Sequence, residues 1–327
     1  SLLRVELARL RARRLIRAVV VLALLAGAVG VVVALFVFGP TTPAVLADAE
    51  QRRDADLVMF EEFRQECLAD IGSTGADPES FCGPEATTSD LELQYYLAEQ
   101  PFTLLENLPN GALAVGLATA VLGFVVGATF VGAEWSARSM VALLFWEPRR
   151  MRVILAKTAV AAGFGLVLAA VGQLLWLGVG TMLAAVRGND GEMLPTGYWS
   201  DLVGQSGRAV LLGLIATLFG FGVANLVRNT GAAFGAGFLY FAVVETALRI
   251  VASRSQPFLL SDSALAFLLP GGLSLFRPGP MVDEGTGAFQ EFSEYVVGNV
   301  RGGVTLGVYL AVLLAVGFWL FRRRDLH

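Results

Sequence analysis

Histidine is almost missing from this chain. The single one is the last residue, His327. Haem anchoring, zinc-protease chemistry and histidine-based triads all need imidazoles within the chain, so those activities are excluded. Lysine is as scarce: Lys157 stands alone among 24 cations, and the rest are arginine. Charge of either sign is thin. Only 16% of residues are charged, where a soluble domain carries about a quarter. A nucleotide-binding loop of the form G-x-x-x-x-G-K-[ST] is also lacking. Lys157-Thr158 is the only Lys-Thr pair, and Met151 and Ala156 stand where the two glycines would be. What is present is apolar. Hydrophobic residues make up 55% of the 327, and mean hydropathy is +0.65. That composition belongs to a polytopic membrane protein.

A span needs roughly 20 consecutive apolar residues. Six runs qualify, at 18–38, 111–132, 158–186, 207–227, 231–251 and 303–321. The first is too long for a signal-peptide core, which has about 7–15 residues, and is read as a span. Before it, segment 1–17 places Leu3, Leu7 and Leu10 at helical spacing among arginines. This suits an amphipathic helix lying in the interface; a plain cationic anchor is the alternative.

Charge orients the spans. With both termini inside, the inner segments 1–17, 133–157, 228–230 and 322–327 hold 15 basic and four acidic residues. The outer segments 39–110, 187–206 and 252–302 hold 7 basic and 23 acidic residues. Cations near span ends mark the cytoplasmic side, so both termini are expected there. The expected fold is therefore all-α, with six transmembrane helices and a small helical extracytoplasmic domain between the first two.

That outer domain, 39–110, has a net charge of −12. A helix is expected over about 49–71, with Phe60, Phe63, Cys67 and Ile71 on one face. Ser89 and Glu92 have capping-box spacing, which predicts a second helix to about Leu105. The only cysteines, Cys67 and Cys82, both lie here. An even number in an extracytoplasmic segment points to a disulfide, with two free thiols as the alternative. No histidine is near to complete a metal site. Segment 256–276 is apolar but broken by Pro270-Gly271-Gly272, too short to cross. It is read as a re-entrant or interfacial helical hairpin, or else as an apolar loop on the bundle.

Two features inside or beside the membrane carry functional weight. Glu245 and Arg249 sit at i, i+4 in the fifth run, as a structural ion pair or part of a substrate path. Gly123-x-x-x-Gly127 and Gly231-x-x-x-Gly235 permit close helix contact. The second feature is segment 133–157. Glu134 to Ser139 is polar and Met140 to Trp146 is nearly all apolar. Pro148 then prevents one continuous helix and suits the first turn of another. A helix–break–helix elbow is expected on the cytoplasmic face, leading into the third span; an ordinary loop is the alternative.

Glu134, Leu143-Leu144, Pro148-Arg149-Arg150 and Ile154-Leu155-Ala156-Lys157 resemble a pattern in the membrane subunits of ATP-binding-cassette exporters of the type-2 permease family. The basic amphipathic start, the six runs, the broken apolar segment before the last of them and the ending Phe321-Arg322-Arg323-Arg324-Asp325-Leu326 are also similar to that family. The resemblance implies a permease in a bacterial plasma membrane that is no enzyme by itself and binds no cofactor. A separate ATPase subunit would hold ATP and Mg, and a second permease chain, identical or similar, would complete the path among membrane lipids; no nucleic acid is implied. It also implies ATPase coupling through Glu134, Arg138, Glu147, Pro148, Arg149, Arg150 and Lys157. The long domain at 39–110 departs from many members, so no substrate carries over. Two other readings stay open: a non-transporting anchor or sensor acting through the acidic outer domain, and an ion-coupled carrier using Glu245.

Overall fold

The structure, a computed structural model, describes residues 2–71, 81–146, 149–188, 192–283 and 288–323. Glu147, Pro148 and the ending from Arg324 lie outside the described residues. Among these residues, six helices are long and apolar enough to cross a membrane. Helix α1 is Leu2–Ala12 and α2 is Arg14–Val37; α3, Pro43–Ile71, follows. Then come α4 (Asn107–Ser136), the short α5 (Ser139–Trp146), α6 (Arg150–Arg187) and α7 (Tyr198–Val227). The fifth candidate span combines α8 (Thr230–Leu239), a π-helical turn at Tyr240–Glu245 and α9 (Thr246–Val251). After a 3-10 turn at Ser253–Phe258 come α10 (Leu260–Leu268), strands β1 (Leu273–Asp283) and β2 (Ala288–Val297), and α11 (Asn299–Arg323).

The chain divides into two compact units. One comprises residues 1–25, 109–178 and 195–327. Its bundle is held by α4 against α7, where small residues let the backbones approach. A Cβ on Gly123 would strike the Thr217 hydroxyl, and one on Gly127 the Thr217 carbonyl oxygen. Gly220 returns the contact against the Phe124 carbonyl. The second glycine pair does no such work, since nothing lies within 4 Å of a Cβ built on Gly235. Helix α10 enters the same bundle. Leu268 is buried with Ala120, Ala209, Leu212 and Leu306, and a Cβ on Gly302 of α11 would lie 2.5 Å from the Ser263 carbonyl oxygen. The Asn299 amide closes the end of α10, reaching the carbonyls of Ala266, Phe267 and Leu269 at 2.8, 3.1 and 2.6 Å.

The expected helical hairpin at 256–276 is corrected here. Its first half is helical, but the second is a strand. Gly271 and Gly272 take φ of +78° and +106°, which reverses the chain and stops the helix. Beyond them β1 and β2 pair antiparallel, from Leu273 opposite Val297 to Asp283 opposite Ala288. The register shifts between Pro278 and Met281, where proline has no N–H to offer. The fold is thus predominantly helical, as expected of an all-α polytopic chain, with one β-hairpin added before the last candidate span.

The other unit comprises residues 26–108 and 179–194. Its main element, α3, starts earlier than expected. Thr42 caps it, its hydroxyl accepting from the Val45 N–H at 3.4 Å, and Pro43 follows in the first turn. The expected apolar face is covered only at its end: Ile71 is buried, while Phe60 and Phe63 are exposed. Cys67 and Cys82 form a disulfide, with Cα atoms 5.8 Å apart. The second helix expected from Ser89 is absent; a single 3-10 turn, Leu93–Tyr96, stands there. Asp90 explains this. Its carboxylate accepts from both the N–H and hydroxyl of Thr87, at 2.8 and 2.6 Å, and spends the local polar groups on a turn. The rest of the unit is tied by main chain. Phe102 N–H donates to Arg187 O at 2.8 Å, and Glu192 accepts from Leu104 and Leu105 N–H, each at 2.8 Å.

Two outcomes are expected. Gly127→Ala forces α4 off α7 and lowers stability by about 1–3 kcal/mol, whereas Gly235→Ala leaves it unchanged or slightly raised; thermal unfolding of the purified chain distinguishes them. Replacing Cys67 and Cys82 by serine removes a link of 15-residue separation, worth about 3 kcal/mol by loop-closure entropy. Limited proteolysis reads that loss as faster cleavage within residues 39–110.

Candidate functional site

Charges converge where α4 ends, α6 begins and α1 lies alongside. Glu134 is buried near the end of α4 and Lys157 is fully buried two turns into α6. The Lys157 ammonium lies 2.5 Å from Glu6 Oε2 and 2.6 Å from Glu134 Oε2. Arg13, between α1 and α2, lies 2.8 Å from Glu134 Oε1 and donates to the Thr129 carbonyl at 2.7 Å. Arg9 completes the set 3.1 Å from Glu6. Lys157 and Arg13 also approach the Phe130 ring, 5.3 and 5.4 Å from its centroid. Two buried carboxylates thus face three cations, and a ring adds its negative face to two of them, Lys157 and Arg13.

A buried ion pair adds little net stability, because desolvation offsets most of the attraction. What it does supply is geometry. Glu6, Arg13, Glu134 and Lys157 come from four places in the chain, and none can leave without stranding a charge. The knot therefore fixes α1, the start of α2, the end of α4 and the start of α6 as one piece.

Helix α5 is rooted on that piece. Met140 is fully buried with Leu10, Val153 and Ile154, and Leu143 packs against the same cluster. Phe145 points out, 85% exposed. The bend between α4 and α5 uses Arg138 in a left-handed conformation, φ 54°. Arg228 does the same between α7 and α8, φ 54°, and lies 4.5 Å over the Trp135 ring. Trp135 binds this end of the bundle further: its indole donates to Asn225 at 3.3 Å and meets Phe321 edge-on. Between α1 and α5 lies a groove of about 620 Å³, lined by Arg9, Ala12, Arg13, Glu134, Ser139, Ala142 and Leu143.

The residues singled out in the sequence fall into two groups. Glu134 and Lys157 are buried in the knot, so neither offers a surface to a partner. Arg138 and Arg149 are exposed and Arg150 is half-buried, all beside α5. Glu147 and Pro148 lie outside the described residues. Glu6 and Arg13 were missed. Glu6 did carry a signal: it is the only acid among the six arginines of residues 1–17.

Glu245 and Arg249 form a second polar site on the same unit. Arg249 is 3.9 Å from Glu245, at the limit of an ion pair. Its stronger partner is Asp262 of α10, at 2.5 Å, and it also donates to the Ser261 hydroxyl at 2.7 Å. Glu245 accepts from the Ser261 N–H at 3.0 Å and from its hydroxyl. The sequence spacing predicted the i, i+4 neighbours but not Asp262, which arrives from 13 positions further on.

A comparison with protein-family models finds no match, and a comparison with curated proteins finds none. Among the described residues, no group of three or more His, Cys, Asp or Glu is placed to hold a metal ion.

Lys157→Met is expected to lower stability by about 3–5 kcal/mol, because Glu6 and Glu134 keep their burial and lose their shared cation. Denaturant unfolding measures it. A loss below about 1 kcal/mol, typical of a solvated pair, would contradict the burial described here.

Proposed function

We propose that this chain is the permease half of an ATP-driven exporter, working as two permease chains with two separate ATPase chains. The observation that carries the reading is the rooting of α5. This short helix sits between two candidate spans and exposes Phe145, with Arg138, Arg149 and Arg150 beside it. Its base is the ionic knot that joins α1, α4 and α6. A push on α5 would therefore move three helices together and not bend a loop. The groove between α1 and α5 gives a partner a place to insert. The excess of cations on the segments around it supports a cytoplasmic location.

In this reading the roles divide. Arg138, Arg149 and Arg150 meet the ATPase subunit. Glu134 and Lys157 are positioning residues that hold α5 to the bundle. The bound nucleotide and magnesium belong to the partner, since the chain has no phosphate-binding loop. ATP binding draws the ATPase chains together, the elbow transmits the displacement, and the two bundles change the side to which the path opens.

The test is the double charge reversal Arg149→Glu with Arg150→Glu in the full chain. The unaltered chain, affinity-purified from its own membranes, is expected to bring an ATPase with it and to stimulate its hydrolysis. The double variant is expected to lose that stimulation and transport while its melting temperature holds. Unchanged stimulation and transport in the variant, or no ATPase accompanying the unaltered chain, would overturn the reading.

A further inference from the structure

The start of α10 brings two buried carboxylates to one cation. Glu245, on the π-helical turn of the fifth candidate span, is 3% exposed, and Asp262, in the first turn of α10, is 2% exposed. Both Glu245 oxygens act as acceptors, Oε1 from the Ser261 N–H and Oε2 from the Ser261 hydroxyl. That is the pattern of an ionised carboxylate, which only accepts. The Ser261 hydroxyl spends its one proton there and takes a bond from Arg249 on its lone pair. Glu245 is thus served without direct use of Arg249.

Asp262 is served on one side only. Oδ1 takes the Arg249 guanidinium at 2.5 Å, but Oδ2 is buried and has no hydrogen-bond partner among the described residues. With both acids ionised the group would carry a net charge of −1, and one acid oxygen would have no donor. Burying such a charge is costly, and a group in that position takes up a proton instead.

No other cation on the surrounding elements makes up the deficit. Arg208 of α7 reaches the Leu268 carbonyl at the far end of α10, at 3.5 Å. Arg301 of α11 lies over the Phe258 ring, 5.4 Å from its centroid. Arg254, on the 3-10 turn, forms no ion pair with either acid among the described residues. Of the two phenols nearby, Tyr309 donates to the Phe258 carbonyl at 2.9 Å, and Tyr240 accepts from the Leu260 N–H at 3.4 Å while its hydroxyl faces Glu245 and not Asp262 Oδ2.

We propose that Glu245, Ser261, Arg249 and Asp262 form a proton-binding site, with the exchangeable proton carried on Asp262 Oδ2 and Glu245 held as the fixed anion. The proton neutralises the group and removes the need for a donor at Oδ2. Burial, the largest influence, pushes the Asp262 carboxyl above its usual range, and Arg249 pulls it part of the way back. The site sits at the joint between the fifth span and α10, so loss of the proton sets a buried negative charge against that joint. Arg249, 39% exposed, borders both Asp262 and solvent and keeps its own charge throughout. This assignment does not depend on an ATPase driving the chain.

Infrared difference spectroscopy of the full chain across a pH titration tests it. The unaltered protein is expected to show the carbonyl stretch of a protonated carboxylic acid at neutral pH. That band should disappear in Asp262→Asn, and in Glu245→Gln, which removes the fixed negative charge, it should be lost at lower pH than in the unaltered protein. A heavy-carbon label on aspartate carboxyls of the unaltered chain should shift the band, and the same label on glutamate should not. The labelling arm reads the site even where a variant fails to fold. A missing band, a band shifted by the glutamate label, or a band unaffected by Asp262→Asn would each overturn the proposal.

Discussion

A lysine ammonium taken wholly out of water must meet its charge inside the protein, and Lys157 meets two carboxylates. Everything at that end of the bundle follows from this requirement. Glu134 comes from α4, Glu6 from α1, and Arg13 from the joint that leads into α2. Each of the four depends on the others, because any one left alone would be a buried, uncompensated charge. The Phe130 ring lies 5.3 Å from the Lys157 ammonium and 5.4 Å from the Arg13 guanidinium and presents its negative face to them. The first helix is thereby not a tail lying loose on a membrane surface. Leu10 and Glu6 bury one side of it in the bundle, and Leu3 and Leu7 remain exposed.

The same physics, left unbalanced, operates along α11 toward its start. There Arg249 serves Asp262 directly and Glu245 through a serine. The knot around Lys157 brings three cations to two acids, whereas this group has one cation for two acids. Full compensation of the buried carboxylates gives a rigid joint at one place. A deficit of one positive charge gives a site that can exchange a proton at the other. Trp135 and Asn225 link the ends of α4, α7 and α11 on the balanced side. Asn299 and Gly302 lock α10 to α11 on the unbalanced side.

Where sequence patterns failed, a competing local or distant contact won. Ser89 and Glu92 have the spacing of a capping box, yet Asp90 draws Thr87 into a tight turn and no helix follows. The apolar stretch after Pro270 looked helical by composition. Leu273, Leu275 and Arg277 instead share one face of a strand, paired with Val297, Tyr295 and Ser293 from the far arm of the hairpin. Phe60 and Phe63 suggested a buried face on α3, but no neighbour among the described residues of their unit covers them. Thr42-Pro43 was a readable helix start that the apolar periodicity of later residues obscured.

The number of helices long enough to cross a membrane, their approximate limits and the disulfide were legible in residue order alone. Lipid imposes length and apolarity on each span separately, so no partner is needed to recognise one. Cys67 and Cys82 had no other cysteine to choose. Which charges meet was decided only by the tertiary structure. Glu6 and Lys157 are 151 positions apart, and Asp262 lies on a different helix from Arg249. Ion pairing depends on distance and burial, which residue order does not carry; the glutamate that answers the only lysine becomes visible once α1 folds back onto α6.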